Sequence, residues 1–422
     1  MTEGFSLPIR EVSAGGLSAW LAEDHSVPVV SVAWGWAGGA SLDPAGEEGS
    51  ASLAAALLTE GAGDRPAAAF QDALRDAAIG LNFGADRDSF EGSFRSLRDP
   101  SNDGLAAAAR LARDAMLAPR FDAEAVERVR ARAVAGARQA LEGPRGQANR
   151  AFWNAAFPES PYGRPPNGTA ERLQTLPVQA MRDAATRHLH RGGLLIAVSG
   201  AITAAELPTL LDTLFGGLPA GEPPAPPPLP PFALRGNPVV VELDVPQCAV
   251  LFGQGGLPVR DPDWEAAQVV LRVLGGGGFS SRLMDVVRVQ RGLSYGIGAG
   301  VEAIAGQGLV LGSVATENAR VAETLTVLRE EWARMAQGGP TQEELSDAVA
   351  FLTGSQPLQF TDSRRTASIL LGLRRNGRPM DWLARRPERL AALTRDGVAA
   401  VAARLLQPDA LGVVVAGKPV GL

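Results

Sequence analysis

An arginine and a tyrosine seven positions apart, Arg288 and Tyr295, are the side chains in this sequence that best suit chemistry on a peptide. Apolar residues recur at helical spacing before Arg288, and Gly292 can turn the chain into a strand that begins near Tyr295. A guanidinium supplies fixed donors and a phenol supplies a hydroxyl, which suits binding of a peptide carbonyl or an oxyanion. The spacing alone equally permits a surface arginine beside a half-buried tyrosine.

A glycine-rich turn lies just before this pair. It lacks the Gly-Lys-Ser/Thr ending of a phosphate loop, so the sequence does not predict nucleotide binding. Glycine leaves the backbone accessible, and we therefore expect the turn to contact a bound peptide or a partner subunit. The residues concerned are Gly275, Gly276, Gly277, Gly278, Ser280 and Ser281.

Composition and charge narrow the class of protein. The net charge of -6 and the pI near 5.4 argue against a nucleic-acid surface, which would require a basic patch. The apolar runs are far shorter than the roughly 20 residues that span a membrane, and the N-terminal residues do not resemble an export signal. We expect a cytoplasmic chain, or a periplasmic one if a signal has been removed.

Residues able to bind a metal or to attack a substrate are few. Cys248 is the single cysteine, which excludes an internal disulfide and the paired-cysteine zinc motifs. The histidines are His25, His188 and His190; the last two lie at a helix end, where their side chains do not meet and a cationic histidine is favoured. A serine triad would need one of these histidines, and no Gly-x-Ser-x-Gly motif accompanies them.

An internal repeat predicts two copies of one fold. Three pairs of segments share an offset of 217 residues: 171–176 with 388–393, 194–200 with 411–417, and 38–39 with 255–256. Between the copies lies a proline-rich stretch, which disfavours a helix and favours an extended tether, although it could also be a ligand for a recognition module. We therefore divide the chain into residues 1–217, a linker at 218–236, and residues 237–422.

Within each copy the hydrophobic pattern mixes strands and helices. In the first copy we predict strands at 29–37 and 194–198, paired strands within 80–97, and helices at 48–58, 66–79, 105–117, 123–141, 178–190 and 204–215. The fold class is α+β: each copy has one mainly antiparallel sheet with helices on one face. The other face is expected to be free to line a cavity.

The turn and the Arg/Tyr pair resemble the C-terminal half of the M16 metallopeptidase family, which includes insulinase, pitrilysin and mitochondrial processing peptidase. The likeness rests on Leu274–Leu283, Arg288 and Gly292–Tyr295, and it extends to Pro161–Gly163 and Gly168-Thr169. It implies two homologous domains of the M16/LuxS-like metallohydrolase fold that close around a peptide. It also implies that Arg288 and Tyr295 bind substrate beside a zinc site supplied by the N-terminal half or by a partner chain.

The sequence departs from this family where active members bind zinc. They carry His-x-x-Glu-His on the first long helix, with a further glutamate later in the chain. Ser52, Ala55 and Ala56 stand at the corresponding positions here, and the distal position falls near Ala135-Gly136. Alanine has no donor atom, so we expect no metal or other cofactor in this chain and zinc in a partner subunit.

The resemblance and this departure together predict the zinc-free subunit of a heterodimeric bacterial M16 peptidase. Its partner would be an M16 subunit with His-x-x-Glu-His, and Arg288 and Tyr295 would bind the peptide and stabilise the oxyanion in a shared chamber. The chain alone would not be an enzyme, whereas the pair would be a zinc metalloendopeptidase. Some two-chain members process the precursor peptide of pyrroloquinoline quinone, but no residue here selects that substrate.

Two other functions stay open. One alternative is an inert scaffold, as the same fold is in core proteins of respiratory complexes; a neighbouring reading frame with His-x-x-Glu-His would argue against it. The other alternative is a self-sufficient hydrolase, which peptide hydrolysis by the isolated chain in the presence of chelators would establish.

Overall fold

The computed structural model describes residues 7–98 and 104–422. Its strands are β1 (Ile9–Ala14), β2 (Leu17–Glu23), β3 (Val29–Ala37), β4 (Gly61–Ala62), β5 (Arg65–Pro66), β6 (Gly80–Ala85), β7 (Ser89–Leu97), β8 (Leu195–Gly200), β9 (Val239–Glu242), β10 (Gln247–Pro258), β11 (Ile297–Ile304), β12 (Gln307–Glu317) and β13 (Gly412–Gly417).

The α-helices are α1 (Ser50–Leu57), α2 (Ala67–Asp76), α3 (Gly104–Leu117), α4 (Ala123–Ala140), α5 (Pro144–Ala156), α6 (Ala170–Thr175), α7 (Val178–His188), α8 (Leu207–Phe215), α9 (Trp264–Leu271), α10 (Arg282–Met284), α11 (Val321–Gly338), α12 (Gln342–Gly354), α13 (Ser363–Arg375), α14 (Arg386–Ala391) and α15 (Arg395–Leu405). Two π-helical segments follow α9 and α10, at Arg272–Gly276 and Asp285–Gln290. Within the described ranges, no helix has both the length and the apolar character needed to cross a bilayer.

Two sheets carry one topology. The first has the order β1-β2-β8-β3-β7-β6, and the second, taken from its far edge, has the order β9-β13-β10-β12-β11. In both, a central strand pairs antiparallel with each neighbour, and one parallel pair follows: β2 with β8, and β9 with β13. This shared pattern confirms the predicted α+β class of two related domains.

The predicted strands of the first copy agree with the structure. The strand predicted at 29–37 is β3, which is buried over all but its last residue, and the paired strands within 80–97 are β6 and β7. Helix α5 was missing from the predicted elements. Pro144 and Gly146 disfavour a helix interior, but proline is tolerated in the first turn, and burial of Phe152 and Trp153 stabilises the helix.

The chain forms two compact units, and each unit takes segments from both halves of the sequence. The first contains residues up to Ala137, Pro165–Pro227 and Gln356–Ala384. The second contains Arg138–Arg164, Pro228–Ser355 and Arg385–Leu422. The division at 1–217, 218–236 and 237–422 follows the sequence repeat, and as a domain assignment it stays a prediction.

In the first unit, both faces of the sheet are used. Trp34, Phe90 and Ile196 point into the main core with the helices of that side. On the opposite face, α13 packs through apolar side chains that include Leu370 against Trp20. The expectation of one free face was therefore wrong where α13 lies, because a helix from the other half of the sequence covers it.

The second unit repeats this arrangement with α5. Residues of β10 alternate between the two faces of the sheet. Val250 and Phe252 face the main core, whereas Ala249 and Leu251 face the side on which Phe152 of α5 packs. Here too, the face that was expected to be free is partly covered by a helix.

Candidate functional site

Arg288 and Tyr295 flank a tight reversal of the chain. Arg288 lies in the π-helical segment after α10, and Gly292 reverses the chain with a φ of 60°. The turn is closed by backbone hydrogen bonds from Gly292 N to Arg288 O (3.0 Å) and from Leu293 N to Val287 O (2.8 Å). Tyr295 stands just ahead of β11, which begins at Ile297.

The Tyr295 side chain faces outward, whereas Arg288 is half-buried. Tyr295 is 87% exposed, and the Arg288 guanidinium lies over the ring of Phe279, with its central carbon 4.5 Å from the ring centroid. Within the described residues, neither side chain forms a hydrogen bond, and no contact joins Arg288 to Tyr295. Arg288 is therefore held by the glycine-rich turn through Phe279, and the donors of both side chains are available to a ligand.

The glycine-rich turn has a packed end and an exposed middle. Gly275 is buried, and a Cβ there would lie 2.7 Å from the backbone nitrogen of Ala299, so glycine lets the helix end approach β11. Gly276, Gly278 and Ser280 are exposed, Gly277 is half-buried, and Ser281 is buried. Ser280 Oγ donates to Gly277 O (2.9 Å) and Ser281 Oγ to Gly278 O (2.8 Å). Whether a peptide contacts this turn stays a prediction.

Arg282 anchors the end of the turn. Its Nε and Nη2 donate to the two carboxylate oxygens of Glu344, each at 2.6 Å, and Nη2 also donates to Gly339 O at 3.0 Å. Glu344 completes a capping box with Thr341 at the start of α12. Burial raises the pKa of Glu344, but the bonds from Arg282 and Thr341 outweigh it and lower the pKa below its usual value.

The positions that correspond to the zinc ligands do not fit a metal ion. Ser52 Oγ donates to Asn167 Oδ1 at 2.6 Å, Ala55 is buried in the core, and Ala56 is half-buried beside it. Ala135 and Gly136 lie on an exposed part of α4. Across residues 7–98 and 104–422, no three histidine, cysteine or acidic side chains come together in a way that could hold a metal.

Asp43 holds the start of α1 and was not singled out from the sequence. Its Oδ2 accepts from Gly49 N (2.9 Å), and its Oδ1 accepts from Ser50 Oγ (2.8 Å) and Ala51 N (3.0 Å). Burial raises the pKa of Asp43 to about 6, although these hydrogen bonds oppose the rise. The sequence signal was weak, because the aspartate precedes the helix by a loop and is not at the usual capping position.

His188 corrects the prediction of a cationic histidine at this helix end. It is fully buried, its ring stacks on Phe90 with centroids 4.7 Å apart, and its Nδ1 lies 2.8 Å from Ala184 O. Burial lowers the pKa of His188 to about 4, so the ring is neutral at pH 7. The helix-end effect is outweighed because the protonated ring would be cut off from water.

Comparison with known families places the glycine-rich turn and the Arg/Tyr pair within a recognised domain. The model described as "Peptidase M16 inactive domain" matches residues 175–352. This range contains Arg288 and Tyr295.

Curated relatives are distant in sequence. A non-peptidase homolog named YmxG from Helicobacter pylori is 25% identical over 360 residues, covering 84% of this chain and 81% of the relative. An uncharacterised zinc protease of Streptomyces coelicolor is 26% identical over 268 residues, covering 60% of this chain and 57% of its own length. The chain thus resembles proteins of both kinds.

Solved structures share the whole fold. The peptidase M16 inactive domain of Pseudomonas fluorescens superposes with a TM-score of 0.91 at 24% identity, covering 98% of this chain and 99% of that one. A protease from Helicobacter pylori gives 0.87 at 16% identity over 98% and 100% of the two chains. A chain of complex III from Candida albicans gives 0.79 at 16% identity over 98% and 96%. These likenesses concern the fold.

Proposed function

We propose that this chain, which belongs to the M16 peptidase family, is the zinc-free subunit of a two-chain peptidase. One contrast carries the proposal. The positions of the metal ligands hold Ser52, Ala55 and Ala56, whereas the donors of Arg288 and Tyr295 have no partner among the described residues. The chain has kept groups that bind a peptide and lacks the groups that bind a metal.

In this proposal Arg288 and Tyr295 act on the carbonyl of the bond to be cleaved. The guanidinium and the phenolic hydroxyl donate hydrogen bonds to its oxygen, and those bonds strengthen as negative charge develops. Phe279 limits the positions open to Arg288 by stacking on its guanidinium. The exposed glycines of the turn adjoin Phe279, on which Arg288 stacks, and are proposed to contact the peptide or the partner subunit.

An extended peptide is the substrate form that the neighbouring strand favours. β11 is the outermost strand of its sheet and pairs with β12 on one side. Where its edge is exposed, an outer strand can bind an extended chain by strand addition, in which the peptide backbone supplies the missing hydrogen bonds. Because Tyr295 directly precedes β11, a peptide aligned along this strand would pass the Arg/Tyr pair.

The partner proposed here is an M16 subunit that carries His-x-x-Glu-His. It would hold the zinc ion, since the residues of this chain do not fit one. The contribution of this chain is to bind and orient the peptide. The substrate is proposed to be a small peptide such as a cofactor precursor.

Co-expression with such a subunit from the same genome tests the proposal. We expect the two chains to co-purify, and we expect chelator-sensitive peptide hydrolysis by the pair that neither chain shows alone. Hydrolysis by this chain alone, unaffected by chelators, would contradict the proposal and indicate a self-sufficient hydrolase.

A second function is favoured by the name of the Helicobacter pylori relative, a non-peptidase homolog. On that view the chain is an inert scaffold, and Arg288 and Tyr295 have no role in catalysis. A complex whose hydrolytic rate equals that of the zinc-binding subunit alone would support the scaffold.

A further inference from the structure

A cavity in the second unit is lined by two opposite charges that have no partner within the described structure. The cavity has a volume of about 630 Å³ and lies between α5 and the strands β10, β12 and β11. Arg145 and Glu302 both line it, and neither forms an ion pair or a side-chain hydrogen bond with a described residue. This volume is in the range of pockets that bind small ligands, roughly 300–1,000 Å³.

The floor of the cavity is bare backbone. Gly298 and Gly300 alternate along β11 with Ala299 and Val301, which face the core. A Cβ at Gly300 would meet no atom within 4 Å, and the residue is not in the left-handed conformation. The space above the strand therefore exists because side chains are missing, and a valine at position 300 would enter it without backbone strain.

The wall of the cavity is apolar and aromatic. Phe152 and Trp153 of α5 are buried, and they line the cavity together with Leu251 and Leu311. The Trp153 indole nitrogen donates to Asn149 Oδ1 at 3.1 Å, which leaves the amide nitrogen of Asn149 as a donor to a ligand. This wall suits an aromatic or aliphatic side chain.

The charges set the polarity of the ligand. A ligand with a single charge would satisfy either Arg145 or Glu302 and leave the other unpaired. A ligand that carries both signs on either side of an apolar group would satisfy the two charges and the wall together.

We propose that this cavity binds an internal peptide segment in which an apolar side chain lies between a basic and an acidic residue. The choice of a peptide rests on the proposed function. The position supports it: Tyr295 lies just before β11 and Glu302 near the far end of that strand, so at the extended rise of about 3.3 Å per residue they are at most about 23 Å apart. A single extended peptide of about eight residues would span the Arg/Tyr pair and the cavity.

Calorimetry on the full chain without any partner tests this inference. The probes are three tripeptides blocked at both ends: acetyl-Lys-Phe-Glu-amide, its reverse acetyl-Glu-Phe-Lys-amide, and the neutral acetyl-Gln-Phe-Gln-amide. We expect one of the charged peptides to bind about five- to tenfold more tightly than the neutral one, because two solvent-exposed ion pairs each contribute modestly.

Substitutions of residues that line the cavity test whether the peptides bind there. Glu302→Gln and Arg145→Gln should each weaken the preferred charged peptide about two- to fivefold and leave the neutral peptide unchanged. Gly300→Val should weaken all three peptides about tenfold or more, because its methyl groups occupy the space of the ligand. Glu330→Gln, an exposed change on α11 away from the cavity, is the control and should alter nothing.

Equal binding of charged and neutral peptides, or no binding of any of them, overturns the inference. So does unchanged binding of the preferred charged peptide to Glu302→Gln, because this change removes the proposed charge of an exposed side chain and keeps its size. Since the partner is absent from this assay, an inactive pair with intact peptide binding would refute the proposed function and leave the cavity assignment standing.

Discussion

At the scale of single residues, the side chains proposed for function are those that the fold leaves uncommitted. Several arginines of the second unit form ion pairs with carboxylates, as Arg282 does with Glu344 and as Arg386 and Arg389 do with the buried Glu265. Arg288 instead stacks on the exposed ring of Phe279. Tyr295 follows the turn at Gly292, and its side chain is exposed to solvent. Neither side chain has a hydrogen-bond or ion-pair partner among the described residues, which favours a role in binding.

The first prediction concerns this pair. In the assembled two-chain enzyme, Arg288→Ala and Tyr295→Phe should each lower turnover about 10²- to 10³-fold, because each removes one donor to the developing oxyanion. Turnover should be measured per assembled complex, with assembly quantified by size-exclusion chromatography. Arg329→Ala on α11, an exposed arginine without a partner among the described residues, is the matched control.

Two results would count against that role. One is full activity of the complexes that carry either variant. The other is loss of assembly with unchanged activity in the complexes that still form, which would make Arg288 and Tyr295 interface residues.

A second residue-scale prediction concerns pH. The pKa of His188 is about 4 in the folded chain, below its usual 6.5. Between these two pH values His188 is protonated in the unfolded chain and neutral in the folded chain. Stability should therefore fall as the pH is lowered through this window, by about 3 kcal/mol for this group at pH 4. Asp43, with a raised pKa, acts in the opposite direction.

The comparison with His188→Gln isolates the histidine, because Asp43 is present in both proteins. The free energy of unfolding, measured by denaturant titration from pH 7 to pH 4, should fall less steeply in the variant. Parallel pH profiles for the two proteins would show that His188 does not titrate as described.

At the scale of elements, one face of each sheet is covered by a helix from the other half of the sequence. Arg374 of α13 shows how such a helix is fixed. Its Nη1 donates to the backbone oxygens of Ser18 (2.7 Å) and Ile196 (2.6 Å), where β2 meets β8, and its Nη2 donates to Ser18 Oγ (3.2 Å). Burial lowers the pKa of Arg374, and these acceptors compensate for its lost hydration.

A matched pair of changes on α13 tests this anchor. Arg374→Met should lower the free energy of unfolding by about 2–3 kcal/mol, because it removes charged hydrogen bonds to buried carbonyls. Arg375→Met should cost less than about 1 kcal/mol, since its ion pair with Glu91 is partly exposed. Equal losses in the two variants, measured by urea unfolding, would refute the assignment.

The sequence predicted elements well and their partners less well. β3 and the pair β6–β7 follow from local apolar patterns, which depend only on neighbours along the chain. The packing of α5 and α13 does not, because an apolar helix face does not specify which sheet it will cover. The same limit applies to Asp43, whose hydrogen bonds to α1 cross a loop, and to the cavity above Gly298 and Gly300, which needs α5 in place.

At the scale of the whole molecule, the chain combines the fold of the family with the absence of zinc ligands at the positions where active members have them. The two sheets share one strand topology, and the whole chain has the fold of the solved M16 inactive domain. At the metal positions on α1, the side chains are either apolar and packed or bonded to Asn167. A complete fold without metal ligands agrees with the proposed division of labour between two subunits.

Zinc analysis of the isolated chain tests this account most directly. The chain should be purified without its partner, equilibrated with one equivalent of zinc, desalted, and measured by inductively coupled plasma mass spectrometry. The account predicts far less than one zinc ion per chain, whereas a subunit carrying His-x-x-Glu-His, treated in parallel, should retain about one. One tightly held zinc ion per molecule of this chain would contradict it.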